Sequence, residues 1–499
     1  MFLAFSSPRF LARPRRSVNL YLACILLYSA LLIGLGAWFS RRVKFASEFL
    51  VARRSLGAGL IFATFLAANI GAGSTVNAAA LGYRMGWSAW WWVGAAGLGC
   101  LILANTVGPR IWYWAKAENF ATLGDYLEYR YDRSVRGWIA VILWGGTVGL
   151  LAAQLIAISI ILNIVTGLPR WEGCIFGGLV VVFYYAAGGL LSSAWINLLE
   201  LAVLLAGFIL ALPYALAACS GWDVVVRQTS EHLGHSVAAT YFSPFGLGIA
   251  GVLYYVALLS PSFIVSPGLI QKIYGARSAK AARAGVNWNG IALLLFAAIP
   301  PALGMIAAAR FPGLEDPQMA LPKVMFELLP TWLGVLGLAA VFSAEISTCD
   351  AVLFMLSTSL AMDLYRTFVN PSASERVLLR ANRIAALAGG SLGVAVAIAV
   401  PSIIGVLTIF YGLVSVALFV PVVAGLYSRR PDAAAARAAI LTSVVTTLAL
   451  HNSVGARVLG FLNPLVAGIA VSFVVLWGVT LFRARRSKTK PPMNTDEHR

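Results

Sequence analysis

Asn69-Ile70-Gly71-Ala72-Gly73-Ser74-Thr75 interrupts an apolar run that extends over residues 55–82. Ser260-Pro261-Ser262 and Ser266-Pro267-Gly268 interrupt a second run, over residues 246–270. Glycine and proline stop a helix and free backbone N–H and C=O groups. Inside a bilayer such groups are tolerated only where they face protein, water or a ligand. Two broken helices at matching places in two halves of a chain mark the binding site of an inverted-repeat transporter. The polar residues clustered at both interruptions favour breakage over glycines that merely let helices pack closely.

The rest of the chain supplies the frame for those breaks. Its 499 residues are 60% hydrophobic and 11% charged, against about 25% charged in soluble domains. A membrane span needs roughly 20 apolar residues. Such stretches fall at 17–40, 55–82, 87–109, 137–166, 173–191, 194–219, 246–270, 286–309, 331–361, 380–400, 403–427, 433–451 and 458–483. The expected architecture is an all-α integral membrane protein of about thirteen transmembrane helices. A single transporter domain would cover 17–483, between a basic N-terminal tail at 1–16 and a basic cytoplasmic tail at 484–499. The second and seventh spans each open a set of five, giving repeat one at 55–219 and repeat two at 246–427. An odd number of spans separates the two openings, so the sets are inverted. One helix precedes them and two follow.

The net charge is +18, but its distribution does not suit nucleic acid. With the N-terminus outside, 27 of the 37 Lys and Arg fall on the inner side, as the positive-inside rule requires. Arg9, Arg13, Arg15 and Arg16 oppose it, which suggests a start further in. The basic inner face suits anionic lipid. The expected setting is the cell (inner) membrane, multi-pass. The partners are a small-molecule substrate and the bilayer, with no nucleic acid; oligomeric state is open. The five cysteines lie in apolar spans without a CxxC and read as buried thiols. Trp87, Trp90, Trp91 and Trp92 read mainly as an interfacial belt. Glu231, His232 and His235 read as part of a solvated loop. No phosphate loop or nucleophile–base pair is present, so neither ATP nor an enzymatic role is expected.

The ninth span carries the most informative polar residues: Ser343-Ala344-Glu345-Ile346-Ser347-Thr348-Cys349-Asp350. Ala344, Ser347 and Thr348 share one helix face. Two hydroxyls and a carbonyl there suit a hard cation, and carbonyls freed near Ala67 and Ile70 would complete its shell.

From these residues outward the sequence resembles the sodium:solute symporter family, over about residues 20–485. Ser47-Glu48-Phe49-Leu50-Val51-Ala52-Arg53-Arg54-Ser55-Leu56 looks like the family's inner loop before its first broken helix. Phe120-Ala121-Thr122-Leu123-Gly124-Asp125-Tyr126-Leu127-Glu128 resembles its loop before the fourth span. Tyr185 through Leu190, Trp195-Ile196-Asn197, Ile270-Gln271-Lys272 and Ser347-Thr348-Cys349-Asp350 follow in the family's order. The resemblance implies the leucine-transporter fold with its five-plus-five inverted repeat. It implies Na+ as coupling ion, held by Ala67, Ile70, Ala344, Ser347 and Thr348. It places substrate beside that site, at Asn69, Gly71, Gly73, Ser74, Ser266 and Gly268. Sugar-carrying members have other residues at Gly73, Ser74, Ser266 and Gly268, which argues against a sugar.

Asn197 stands where the family often has Asp on the ion-release route, with Glu200 one turn on. Asn197, Glu200 and Glu345 are therefore the candidate coupling residues, while Asp350 reads as a helix–helix anchor. The N–H groups at Gly71–Thr75 form a new helix start suited to an anion. A carboxylate or amino acid is the expected solute, and Glu345 as partner for a cationic group would favour the zwitterion. The expected function is sodium-coupled import by alternating access. The alternatives are a proton-coupled carrier of the same fold using Glu345 or Glu200, and a non-transporting membrane solute sensor. Against the sensor, the tail at 484–499 carries no signalling domain.

Overall fold

A computed structural model describes residues 15–40, 50–187, 190–400, 402–452 and 464–489. The N-terminal arginines Arg9 and Arg13, the inner-loop stretch 41–49 and the last residues 490–499 lie outside the described residues. Among the described residues the chain is all helix, with one isolated bridge between Leu56 and Ala276.

The long apolar runs become helices because no span can leave its backbone unpaired in lipid. In chain order they are α1 (Arg15–Ser40), α2 (Ala58–Asn69), α3 (Ala78–Met85), α4 (Trp90–Asn105), α5 (Val107–Ala117), α6 (Leu123–Arg130), α7 (Arg133–Thr166), α8 (Arg170–Ala187) and α9 (Leu190–Ala218). Two shorter helices follow, α10 (Trp222–Leu233) and α11 (His235–Tyr241), so the expected outer loop is helical. Next come α12 (Gly248–Val265), α13 (Pro267–Tyr274), α14 (Ala279–Phe296), α15 (Ile299–Arg310), α16 (Ala320–Lys323) and α17 (Thr331–Thr358). The last four are α18 (Glu375–Ala399), α19 (Ile403–Tyr427), α20 (Ala433–Asn452) and α21 (Pro464–Thr489). Among the described residues ten helical stretches are long and apolar enough to cross a membrane. The helix Ala58–Asn69 falls short of that length because it ends at a break. Large apolar side chains ring the outside, with Leu27 and Leu295 each 72% exposed. A face of that kind suits lipid rather than water.

Both expected breaks occur. The α2 helix ends where Ile70 turns extended (φ −103°, ψ 97°), and the chain resumes through a wide turn at Gly73–Asn77 into α3. A Cβ on Gly71 would lie 2.5 Å from Gln154 Oε1 and 2.7 Å from Thr348 Cβ, so only glycine fits there. The α12 helix ends at Ser266, which Pro267 forces out of the helical region (φ −53°, ψ 123°). Pro261, by contrast, sits inside continuous α12. One expectation needs correction: the span at 286–309 is not one helix. It breaks at Ala297–Ala298 between α14 and α15, because Pro300 and Pro301 lack the N–H groups to continue.

The packing repeats under exchange of two sets of helices. In the first set, α2, α4, α7, α8 and α9 are the principal members; in the second, α12, α14, α17, α18 and α19. The α2 helix packs on α14, and α12 packs on α4; α7 packs on α19, and α17 packs on α9. The pairs α4–α14, α7–α17 and α8–α18 map onto themselves. The sets run oppositely, because the start of α2 and the end of α13 share one face. There Leu56 N–H donates to Gly275 O, and Arg277 N–H donates to Leu56 O. At the other face the residues following α3 meet the segment before α12, where Leu247 N–H donates to Ser88 Oγ. The α1 helix lies against α8 and α17, and α20 and α21 pack on each other and on α19.

Candidate functional site: a broken-helix cavity and its cation pocket

The end of α2 leaves carbonyls without helical partners. Ala67 O receives Ser347 Oγ at 3.0 Å and Thr348 Oγ1 at 3.1 Å. Ile70 O receives Thr348 Oγ1 at 3.2 Å, and Asn69 O receives Ser74 Oγ at 2.7 Å. Ser347 Oγ also donates to Ala344 O at 3.0 Å. Three carbonyls and two hydroxyls, from Ala67, Ile70, Ala344, Ser347 and Thr348, therefore meet between α2 and α17. All five residues are buried. A hydroxyl that donates here can rotate and present a lone pair instead. An all-oxygen, uncharged set of this size suits a hard monovalent cation; divalent ions usually recruit carboxylates.

Beside this pocket lies a cavity of about 60 Å3. Asn69, Gly71, Gly73, Ser74, Ser266 and Gly268 all line it, so the six candidate substrate residues share one wall. That space has room for only a few waters. Aromatic rings cluster on the side of the break that leads to α3. Trp92 lies 5.9 Å from Tyr255 and 6.2 Å from Tyr411, and Phe263 lies 5.5 Å from Tyr411. Trp92 is thus buried in the bundle rather than part of an interfacial belt. Trp87, Trp90 and Trp91 are only partly buried, and Trp91 Nε1 donates to Pro244 O. A larger groove of about 920 Å3 runs between α7, the continuation of α17 and α18. Its walls are nearly all apolar and include the exposed Val141 and Ile384, so it belongs to the lipid-facing surface.

Three of the N–H groups at the new helix start, those of Ala72, Ser74 and Thr75, are already taken. Gln154, on α7, accepts the Ala72 N–H at 2.7 Å. The Ser74 and Thr75 N–H groups both donate to Gly71 O. Gln154 was not among the sequence candidates; an amide in the middle of the apolar stretch 133–166 was its only signal.

The three candidate coupling residues are buried, and none lines the cavity. Glu345 Oε1 accepts Thr75 Oγ1 at 2.8 Å, while its Oε2 has no partner. This carboxylate clamps α17 to the turn after the break and does not line the cavity. Asn197 Nδ2 approaches Ser193 Oγ at 3.4 Å. Neither carboxylate oxygen of Glu200 has a hydrogen-bond partner. Asp350 accepts from Ser193 Oγ and so ties α17 to α9. Glu231, His232 and His235 lie on α10 and α11, and no group of three potential metal-binding side chains occurs among the described residues. Lys272, also unremarked beyond its place in a motif, lines the cavity.

Two inverted sets of helices, each opened by a broken helix, around a cavity and a cluster of neutral oxygens, define a secondary transporter of the leucine-transporter fold. The chain belongs to the sodium:solute symporter family, whose family model matches residues 49–443. It is 25% identical over 466 residues to the sodium/pantothenate symporter of Escherichia coli (strain K12), covering 90% of this chain and 93% of that one. It is 24% identical to sodium-coupled monocarboxylate transporter 2 of Bos taurus, covering 93% of this chain and 73% of that protein. A Na+-coupled sialic acid symporter, solved substrate-bound and outward-open, superposes with a TM-score of 0.79 at 18% identity. That match covers 93% of this chain and 97% of the symporter, and it establishes the shared fold.

Proposed function

We propose that this protein is a sodium-coupled symporter that imports a small organic solute, an amino acid or carboxylate, across the cell (inner) membrane by alternating access. The observation that carries this reading is the convergence of the Ser347 and Thr348 hydroxyls on Ala67 O and Ile70 O. The pocket draws its oxygens from two helices. Sodium therefore binds well only while the end of α2 faces α17. A ligand shifts a conformational equilibrium by its differential affinity for the two states, so sodium favours whichever state keeps those helices together. Solute then enters beside it, and separation of the helices on the other side weakens the site and releases both. The relatives' sodium coupling and the pantothenate and monocarboxylate in two of their names support the same class of cargo.

The test is uptake into proteoliposomes of labelled amino acids, monocarboxylates and sugars, under an inward sodium gradient and a matched choline gradient. Accumulation of one solute with sodium alone is expected. Ser347→Ala and Thr348→Ala are expected to abolish it while the protein still inserts; wild-type uptake by both would sink the site assignment. A proton-coupled carrier is the second reading, favoured by the unpartnered carboxylate of Glu200. It requires uptake that follows a pH gradient and ignores sodium.

A further inference from the structure

Lys272 sits on α13, six residues beyond the Ser266 break, and is 2% exposed. It lines the central cavity and is the one lining residue with a formal charge. Among the described residues no carboxylate oxygen comes within 4.0 Å of its ammonium, and no hydrogen bond to it is formed. The opposite charges it feels, Asp350 and Glu200, lie on α17 and α9, and neither lines the cavity. Asp350 already accepts from Ser193.

We propose that Lys272 is the anion anchor of the solute site, and that the solute is an organic carboxylate with a small apolar body and no ammonium group. The proposal rests on the reading of this cavity as the solute site. A buried charge is costly unless paired, and a carboxylate entering the same space meets the same cost. Each removes the other's penalty, so the occupied site is the state in which Lys272 is neutralised. The walls facing it are largely apolar, with Phe263, Leu269, Met355 and Phe410 among them. They suit a hydrocarbon tail. An amino acid would bring an ammonium as well, and no acidic side chain lines the cavity to receive it; Glu345 is held by Thr75 instead. The structure thereby separates the carboxylate from the zwitterion, which the sequence left together.

The test uses purified full-length protein in nanodiscs and follows thermal stabilisation. Sodium alone is measured first, then butyrate, butyramide, butylamine and 2-aminobutyrate in saturating sodium. Wild type is expected to be stabilised by sodium and further by butyrate, with butyramide and 2-aminobutyrate at least ten-fold weaker. Lys272→Met keeps the length of the side chain and removes its charge. It is expected to retain the sodium effect, which shows it folded, and to lose butyrate affinity by about ten- to a hundred-fold, as loss of a charge-assisted contact implies. Lys272→Arg is expected to restore part of it. Equal binding of butyrate and butyramide by wild type overturns the proposal without recourse to any variant. So does preference for 2-aminobutyrate, or unchanged butyrate affinity in Lys272→Met. A wild-type protein that sodium does not stabilise overturns instead the symporter reading on which the proposal stands.

Discussion

Replacing Arg136 by methionine is expected to unseal the cavity toward the basic face. The guanidinium is 7% exposed and holds three carboxylates from two parts of the chain. Its Nη1 lies 2.9 Å from Asp125 and 2.8 Å from Glu128, on α6, and its Nη2 lies 2.8 Å from Asp363. Asp363 belongs to the wide-turned continuation of α17, Ser359–Val369, and also accepts Thr122 Oγ1 at 2.6 Å. The knot lies on a line of three spaces. Met355 lines both the central cavity and a smaller one of about 30 Å3, while Arg136 lines that smaller space and a surface cleft of about 610 Å3. Any solute leaving by this line must part α6 and α7 from the end of α17, and so break these bonds. Removing one partner of a buried ion pair costs about 3–5 kcal/mol. If only the closed state carries the knot, even about 3 kcal/mol lowers the closed-to-open ratio by roughly 150-fold. The assay places a single cysteine at Met355→Cys in a background without the native thiols. An impermeant maleimide is then added to inside-out vesicles. The modification rate is expected to rise by one to two orders of magnitude with Arg136→Met. An unchanged rate, in protein that sodium still stabilises, would refute the assignment of this knot as the inner seal.

Three further substitutions probe the break and the coupling ion. Gly71→Ala forces a methyl against Gln154 and Thr348; it is expected to cost about 1–3 kcal/mol, read as a lower melting temperature, and to weaken sodium stabilisation, whereas wild-type behaviour would mean that the backbone yields there. Glu345→Gln keeps an acceptor for Thr75, and Glu200→Gln alters a carboxylate without partners; both are expected to retain sodium-driven uptake, and loss in either would transfer weight to proton coupling.

The legible parts of this protein are those where the local chain must stop being a helix. Gly71, Gly73 and Pro267 announce their breaks because the missing Cβ or N–H is a property of the residue itself. The same rule applied to Pro300-Pro301 would have found the break between α14 and α15. That run was read as continuous because its hydrophobicity is. The meeting of oxygens between α2 and α17 was legible for a related reason: a break frees carbonyls at known positions, and Ser347 and Thr348 repeat on one face of a helix that must pack nearby. What a freed group meets is another matter. The N–H of Ala72 looked available for an anion, yet Gln154 takes it from a helix some eighty residues away. Glu345 looked free to face a solute, yet Thr75 turns it into a clamp.

Lys272 reverses those two cases. Within its motif it looks like any basic residue near an inner loop. Only the packing of α13 against its neighbours, α2 and α17 among them, makes it a buried charge at the edge of the cavity. The sequence fixes the donors and acceptors, but tertiary contact decides which remain unspent. In a bilayer interior, where water cannot satisfy the remainder, an unspent charge beside a cavity is a statement about cargo. On the reading proposed above, the neutral oxygens between α2 and α17 hold the cation and the ammonium on α13 holds the anion. The oxygens lie between the end of α2 and α17, and Lys272 lies on α13, which packs on both, so a movement that parts either broken helix from α17 disturbs both places.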